Sequence, residues 1–147
     1  MERAVTPEQI QRVRSSFAKM AGSQGQAGAL FYRRLFELEP GLRPLFKSDM
    51  KAQGARLMAA LRDLVGALDQ LERVLPAVRE LGRRHAAYGV RPEHYATVGE
   101  ALMWTLEQGL GGAFTRETRR AWVDAYAGLA WPMIAAAEEG DGLAQTA

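Results

Sequence analysis

The chain has 147 residues, 48% of them hydrophobic, and its 19 cationic and 17 acidic side chains leave a net charge of +2, enough apolar material for one packed core. The charges are interleaved rather than gathered into a basic stripe, which argues against nucleic acid as a partner, and the absence of cysteine excludes disulfides, thiol redox chemistry and thiolate ligation. No stretch approaches the ~20 apolar residues of a membrane span, and Met1 to Glu8 lacks an apolar signal core, so a soluble cytoplasmic protein with no membrane partner is expected.

Thr6 to Gln9 reads as a helix start: Thr6 can cap, Pro7 takes the first helical position and Gln9 can reach back. Ile10, Val13, Phe17 and Met20 form one apolar face. The helix is expected to stop in the glycine-rich stretch Gly22 to Gly28, a turn between helices, since no strand precedes it and its spacing is not that of a dinucleotide fingerprint. A second helix carries Phe31, Leu35 and Leu38 inward and ends before Pro40. A turn through Pro44 delivers Phe46. After a polar break at Lys47 to Met50, Leu57, Leu61, Leu64 and Leu68 mark a longer helix.

The next helix stacks Val78, Leu81, His85 and Tyr88 on one stripe and closes at Gly89. Pro92 opens another, with Tyr95, Val98, Leu102 and Leu106 facing inward, and Gly111-Gly112 breaks it. Thr115 can cap the last helix, which runs through Trp122, Tyr126, Leu129 and Met133. Pro132 inside it should kink it or leave one carbonyl unpaired, a local cost of up to ~3 kcal/mol. The paired arginines Arg33/Arg34, Arg83/Arg84 and Arg119/Arg120 fall on three different helices and read mostly as solvated faces. With no strand pattern, repeat or second domain, residues 1–147 are expected to form a single all-α domain, with a core over about 5–138 and a flexible tail at 139–147.

His85 is one of two histidines. An imidazole on an apolar stripe needs partners for its ring nitrogens, and these can be a backbone carbonyl, a metal or the iron of a haem. Position alone leaves the carbonyl-bonded core histidine and the ligand both open.

The wider pattern is more specific. Leu81 to His85, Tyr88 to Val90, His94-Tyr95 and Val98-Gly99 closely resemble the proximal-haem region of bacterial single-domain globins, the globin domain of flavohaemoglobins and, more distantly, neuroglobin. Phe31 to Pro40 followed by Leu42 to Phe46 resembles the distal half of the same family. The resemblance implies a globin fold, a three-over-three helical sandwich enclosing a haem, with His85 as the iron ligand. It further implies Tyr32 and Gln53 as the distal tyrosine and glutamine, Leu57 as the apolar residue over the iron and Phe46 as the residue stacked on the haem. Val90, Val98, Leu102 and Tyr126 would line the proximal side, and Arg84 could pair with a propionate. Without cysteine the haem would be held non-covalently, as haem b.

Gln53 and Leu57 are four apart, so they project from one helical face, one an amide donor and the other apolar cover. Taken alone, Tyr32 can be an ordinary core tyrosine, and Gln53 reads as a solvated helix residue. Under the resemblance both aim donors at a gas that gains negative charge on the iron, and a hydrogen bond to a charged group is worth roughly 1.5–3 kcal/mol. The family also implies Tyr95 and a last-helix glutamate holding the proximal histidine. Counting from Trp122, that glutamate's position is Ala137, and Glu138 lies about 100° of helix away, so the chain departs from the family's triad and a backbone carbonyl is the alternative anchor for His85. His94 belongs to the proximal motif, so histidine on both faces of the iron is not expected. The function implied is reversible, high-affinity oxygen binding, with CO and NO as further ligands. The alternative is nitric oxide dioxygenation, with Tyr32 and Gln53 as catalytic residues and an external reductase, in a monomer or homodimer.

Overall fold

A computed structural model describes residues 5–47 and 49–146, without the side chains of 140–146. Helix α1 (Pro7–Lys19) begins on the expected capping box: the Gln9 amide donates to Thr6 Oγ1 at 3.1 Å and the Thr6 amide to Gln9 Oε1 at 3.0 Å. Ile10, Val13, Phe17 and Met20 are all buried. The glycine-rich stretch is not the turn that the sequence suggests. A short 3-10 turn covers Ala21–Ser23, and α2 (Gln24–Leu38) already contains Gly25 and Gly28. The reason lies across the fold: a Cβ at Gly28 would sit 3.0 Å from the Cα of Gly54 on α3 (Met50–Gly66). Gly28 therefore serves the close crossing of two helices.

Helix α2 ends at Leu38, before Pro40, and a 3-10 turn over Pro40–Leu45 follows. Asp49 caps α3 through the Ala52 amide at 3.3 Å. Leu68, read as the end of that helix, falls instead in the 3-10 turn Leu68–Gln70 and stays buried. Helix α4 (Leu71–Ala87) closes with the Val90 amide on the His85 carbonyl and the Gly89 amide on the Ala86 carbonyl, with Gly89 at φ 101°. This is a Schellman closure. It turns the chain away at Tyr88, which is 69% exposed rather than inward as the stripe suggested. The inward face thus ends at His85.

Helix α5 (Pro92–Leu110) buries Leu102 and Leu106, with Tyr95 and Val98 half-buried. After the 3-10 turn Gly111–Ala113, Thr115 caps α6 (Arg116–Thr146) by accepting from the Thr118 amide at 3.2 Å. Helix α6 runs unbroken past Pro132, whose missing N–H cannot bond the Gly128 carbonyl. It also continues through the segment read as a tail: the backbone of 139–146 is helical, while Ala147 lies outside the described residues.

The helices form two layers, α1, α3 and α4 over α2, α5 and α6, and the described residues contain no strand. Helix α2 crosses α3 and α5, and α4 lies along α6. A Cβ on Gly82 of α4 would fall 2.5 Å from the Met133 Cα, so that contact is backbone to backbone. At the centre the Trp122 indole donates to Ser16 Oγ at 2.8 Å and Ser16 bonds the Arg12 carbonyl, which satisfies a buried polar pair.

Candidate functional site

The α2–α3 crossing places Tyr32 against Gln53. Gln53 Nε2 donates to the phenol oxygen at 3.1 Å, and Gln53 Oε1 accepts from the Arg56 guanidinium at 2.8 Å. A guanidinium only donates, so the amide oxygen must face Arg56 and the amide N–H must face Tyr32. The phenol proton is then left to donate elsewhere. Burial pushes the Tyr32 hydroxyl above its ordinary pKa, against the smaller lowering effects of Gln53 and Arg56, so it remains a neutral donor.

Phe46 completes this wall. Its ring meets Tyr32 edge-on at 5.3 Å and Phe36 at 5.5 Å. Arg43 fixes the backbone there, donating to the Phe46 carbonyl at 3.0 Å while its guanidinium lies over the Phe36 ring at 5.5 Å. One turn along α3 from Gln53, Leu57 is half-buried against the core.

His85 closes the opposite side. Its Nδ1 lies 2.8 Å from the Leu81 carbonyl one turn earlier. A carbonyl can only accept, so Nδ1 carries the proton and Nε2 presents its lone pair. Burial lowers the imidazole pKa, the Leu81 bond partly opposes this, and Arg84 lowers it further, which favours the neutral ring. The turn after His85 abuts the turn before Phe46: a Cβ on Gly89 would lie 3.1 Å from Leu45 Cδ2. Val90 is half-buried beside it.

The proximal side is arranged differently from the implied triad. Tyr126 donates its hydroxyl to the Tyr95 backbone carbonyl at 2.7 Å, and burial, aided by Tyr95, raises its pKa strongly. The Tyr95 hydroxyl has no hydrogen-bond partner among the described residues, and its pKa is raised by burial. Ala137 is half-buried and Glu138 exposed, while Glu139 pairs with Arg79. Among the described side chains no carboxylate from the last helix bonds His85, whose Nδ1 is held by the Leu81 carbonyl. Arg84 is exposed, and His94 Nδ1 caps α5 by accepting from the Arg91 amide at 3.0 Å.

Two contributors lay outside the sequence reading, Arg56 and Arg43. Their signal was only spacing: Arg56 is three residues beyond Gln53, and Arg43 three before Phe46.

The donor set fits a haem. Among the described residues no group of three His, Cys, Asp or Glu side chains can hold a metal ion. One neutral imidazole can hold iron only if the remaining donors arrive with it, as a porphyrin's do. The orientation of Nδ1 toward a backbone carbonyl is the arrangement that metal-ligating histidines adopt.

A family model described as "Globin" matches residues 29–131, which span the site from Tyr32 to Tyr126. The chain is 30% identical over 128 residues to neuroglobin of Tetraodon nigroviridis, covering 78% of this chain and 80% of that protein. Neuroglobin of Danio rerio matches with the same identity and coverage, also over 128 residues. A flavohemoprotein of Bacillus subtilis (strain 168) is 34% identical over 103 residues, which are 68% of this chain and 26% of that protein.

Proposed function

Because the chain belongs to the globin family, we propose that it holds haem b through His85 and binds dioxygen reversibly, with CO and NO as further ligands. Haem, when bound, supplies the iron at which a diatomic gas binds and gains electron density. The protein's own groups do the rest. His85 offers Nε2 in the correct tautomer because Leu81 holds the other nitrogen at 2.8 Å. Phe46, braced by Phe36 and Tyr32, supports the ring plane, and Leu57 keeps the gas side apolar. Val98, Leu102 and Tyr126 line the proximal side, and Arg84 at the surface pairs with a propionate.

The observation that carries the reading is the Gln53–Tyr32 hydrogen bond at 3.1 Å, which leaves the phenol proton free to donate to a ligand that has gained negative charge. A free donor of this kind slows dioxygen loss by about 10- to 150-fold. Absorption spectra of the ferric, ferrous, carbon monoxide and dioxygen forms test the reading. A protein that retains no haem, or whose ferrous form gives no dioxygen spectrum, would overturn it.

Nitric oxide dioxygenation is the second reading, favoured by the match to a protein named flavohemoprotein. Tyr32 and Gln53 would hold the oxygen for attack by nitric oxide, and an external flavin reductase in the cytoplasm would return the iron to its ferrous state. Steady-state nitrate formation with a reductase present separates this from storage or delivery.

A further inference from the structure

Two helices open on the same device made from different chemistry. At α1 the Thr6 amide donates to Gln9 Oε1 at 3.0 Å, and at α5 the Arg91 amide donates to His94 Nδ1 at 3.0 Å. In each, a side chain three residues on reaches back to the amide of the capping residue. The glutamine has no proton to gain near neutral pH, whereas histidine ordinarily changes charge between pH 5 and 8. An amide N–H only donates, so His94 keeps its lone pair on Nδ1 and its proton on Nε2. His85 is held in the opposite tautomer, with Nδ1 toward the Leu81 carbonyl at 2.8 Å.

A proton on Nδ1 of His94 would face the Arg91 amide with a second donor, and the bond could not persist. The new cation would also stand at the positive end of α5, where helix amides disfavour it. The ring is half-buried, so solvent protons reach it. On its own helix the charged neighbours are Arg91 and Glu93, paired with each other at 2.8 Å. From the end of α2, Glu39 accepts from Thr97 Oγ1 at 3.3 Å, one turn further on, and Arg34 of α2 lies over Trp104 in the second half of α5. From α6 the titratable group is Tyr126, and the 3-10 turn Gly111–Ala113 at the far end of α5 carries no charge.

The turn that His94 fastens is the seat of Tyr126. Tyr95, the next residue, offers its carbonyl to the Tyr126 hydroxyl at 2.7 Å, and Gly99, one turn on, receives the ring so closely that a Cβ there would lie 3.0 Å from Tyr126 Cε2. We infer that His94 is a positioning residue that makes this seat proton-sensitive. Neutral His94 pins the first turn of α5. In mild acid it releases the Arg91 amide, the turn loosens, and the join between Tyr95 and Tyr126 loosens with it. The consequence for haem retention rests on the haem reading above, while the release of the turn does not.

The test is amide hydrogen exchange of the haem-loaded protein at about pH 7.5 and about pH 5.5, on either side of the ordinary histidine midpoint, expressed as protection relative to the unfolded chain. Losing a helix cap should lower protection across Arg91 to Gly99 by about 2- to 30-fold in acid. The start of α1, capped by Gln9, should not respond. His94→Gln should keep α5 protected at both pH values, and His94→Ala should leave it weakly protected at both. Haem transfer to an acceptor globin in acid should be slower from His94→Gln than from the parent. The inference is overturned by an α5 start indifferent to acid, an acid response equal at α1, or an acid response that survives in either variant. Equal haem transfer from parent and His94→Gln would overturn the link to the proximal side. A chain that holds no haem would overturn the haem reading, and exchange at α5 would still decide the proton sensitivity.

Discussion

Gln53 Nε2 and Tyr32 Oη lie 3.1 Å apart across the α2–α3 crossing, and the direction of that bond is set from outside it, by Arg56 on Gln53 Oε1 at 2.8 Å. Were the amide reversed, its oxygen would accept the phenol proton and Tyr32 would have nothing left to donate. Arg56 thus determines which of the two groups faces a ligand as a donor.

Tyr32→Phe is expected to speed dioxygen dissociation by about 10- to 150-fold, the worth of one hydrogen bond to a charged group. Gln53→Leu and Arg56→Met should move the rate the same way by less, because each leaves the phenol in place but poorly oriented. The Tyr32→Phe/Gln53→Leu pair should be less than additive, since both act on one ligand. Carbon monoxide, which gains less negative charge, should respond weakly throughout. Stopped-flow dissociation rates measure all of these, and a dioxygen rate unmoved by Tyr32→Phe would place the donors elsewhere.

His85→Gly should lose stable haem retention and regain it with added imidazole. The other histidine cannot take over, because His94 is engaged at the start of α5 with the Arg91 amide. A ferrous spectrum unchanged by the substitution would remove His85 from the iron.

The elements and the inward faces were legible in the sequence wherever periodicity and capping agree, as at Thr6, Pro40, Pro92 and Thr115. Three readings failed for one physical reason, that local pattern does not report what approaches from another element. Gly28 looked like a turn because its need for closeness comes from Gly54, 26 positions later. Tyr88 looked inward because periodicity cannot show where the Schellman closure redirects the chain. Leu68 kept the spacing of its helix yet belongs to the following 3-10 turn. At the site, His85 stood out by its place on an apolar stripe, and the resemblance to globins marked Tyr32, Gln53 and Phe46 as candidates. The hydrogen-bond directions set by Arg56 and Leu81 needed coordinates.

Tyr126 offers a pH test. Its pKa is raised in the folded protein by burial, and those of Tyr32 and Tyr95 are raised for the same reason. A raised folded pKa means that the unfolded chain releases its proton first, so the stability is fully present below about pH 10 and is lost as pH climbs above it. Denaturant midpoints should hold level up to that pH and then fall. Tyr126→Phe should start about 1 kcal/mol lower, having lost the bond to the Tyr95 carbonyl, and should fall less steeply in alkali. Parallel slopes for the two proteins would show that Tyr126 does not drive the alkaline loss.

The α4–α6 contact sets how His85 is presented, and Gly82 is its tightest point. An alanine there would press its Cβ to 2.5 Å from the Met133 Cα, and backbone on both sides leaves no flexible side chain to yield. Helix α4 must shift or tilt. Gly82→Ala is therefore expected to destabilise by about 1–3 kcal/mol, the usual range for overpacking. The useful comparison is Gly66→Ala in α3, where nothing lies within 4 Å of the added carbon. With no clash, the loss of unfolded-state freedom should stabilise that variant by about 0.4–1 kcal/mol. Thermal melts of the two should move in opposite directions. Because His85 lies three residues beyond Gly82 on the same helix, the Gly82→Ala protein should also lose haem faster to an acceptor globin, while Gly66→Ala should not. A Gly82→Ala protein as stable as the parent would mean that the helices are less closely seated than this contact requires.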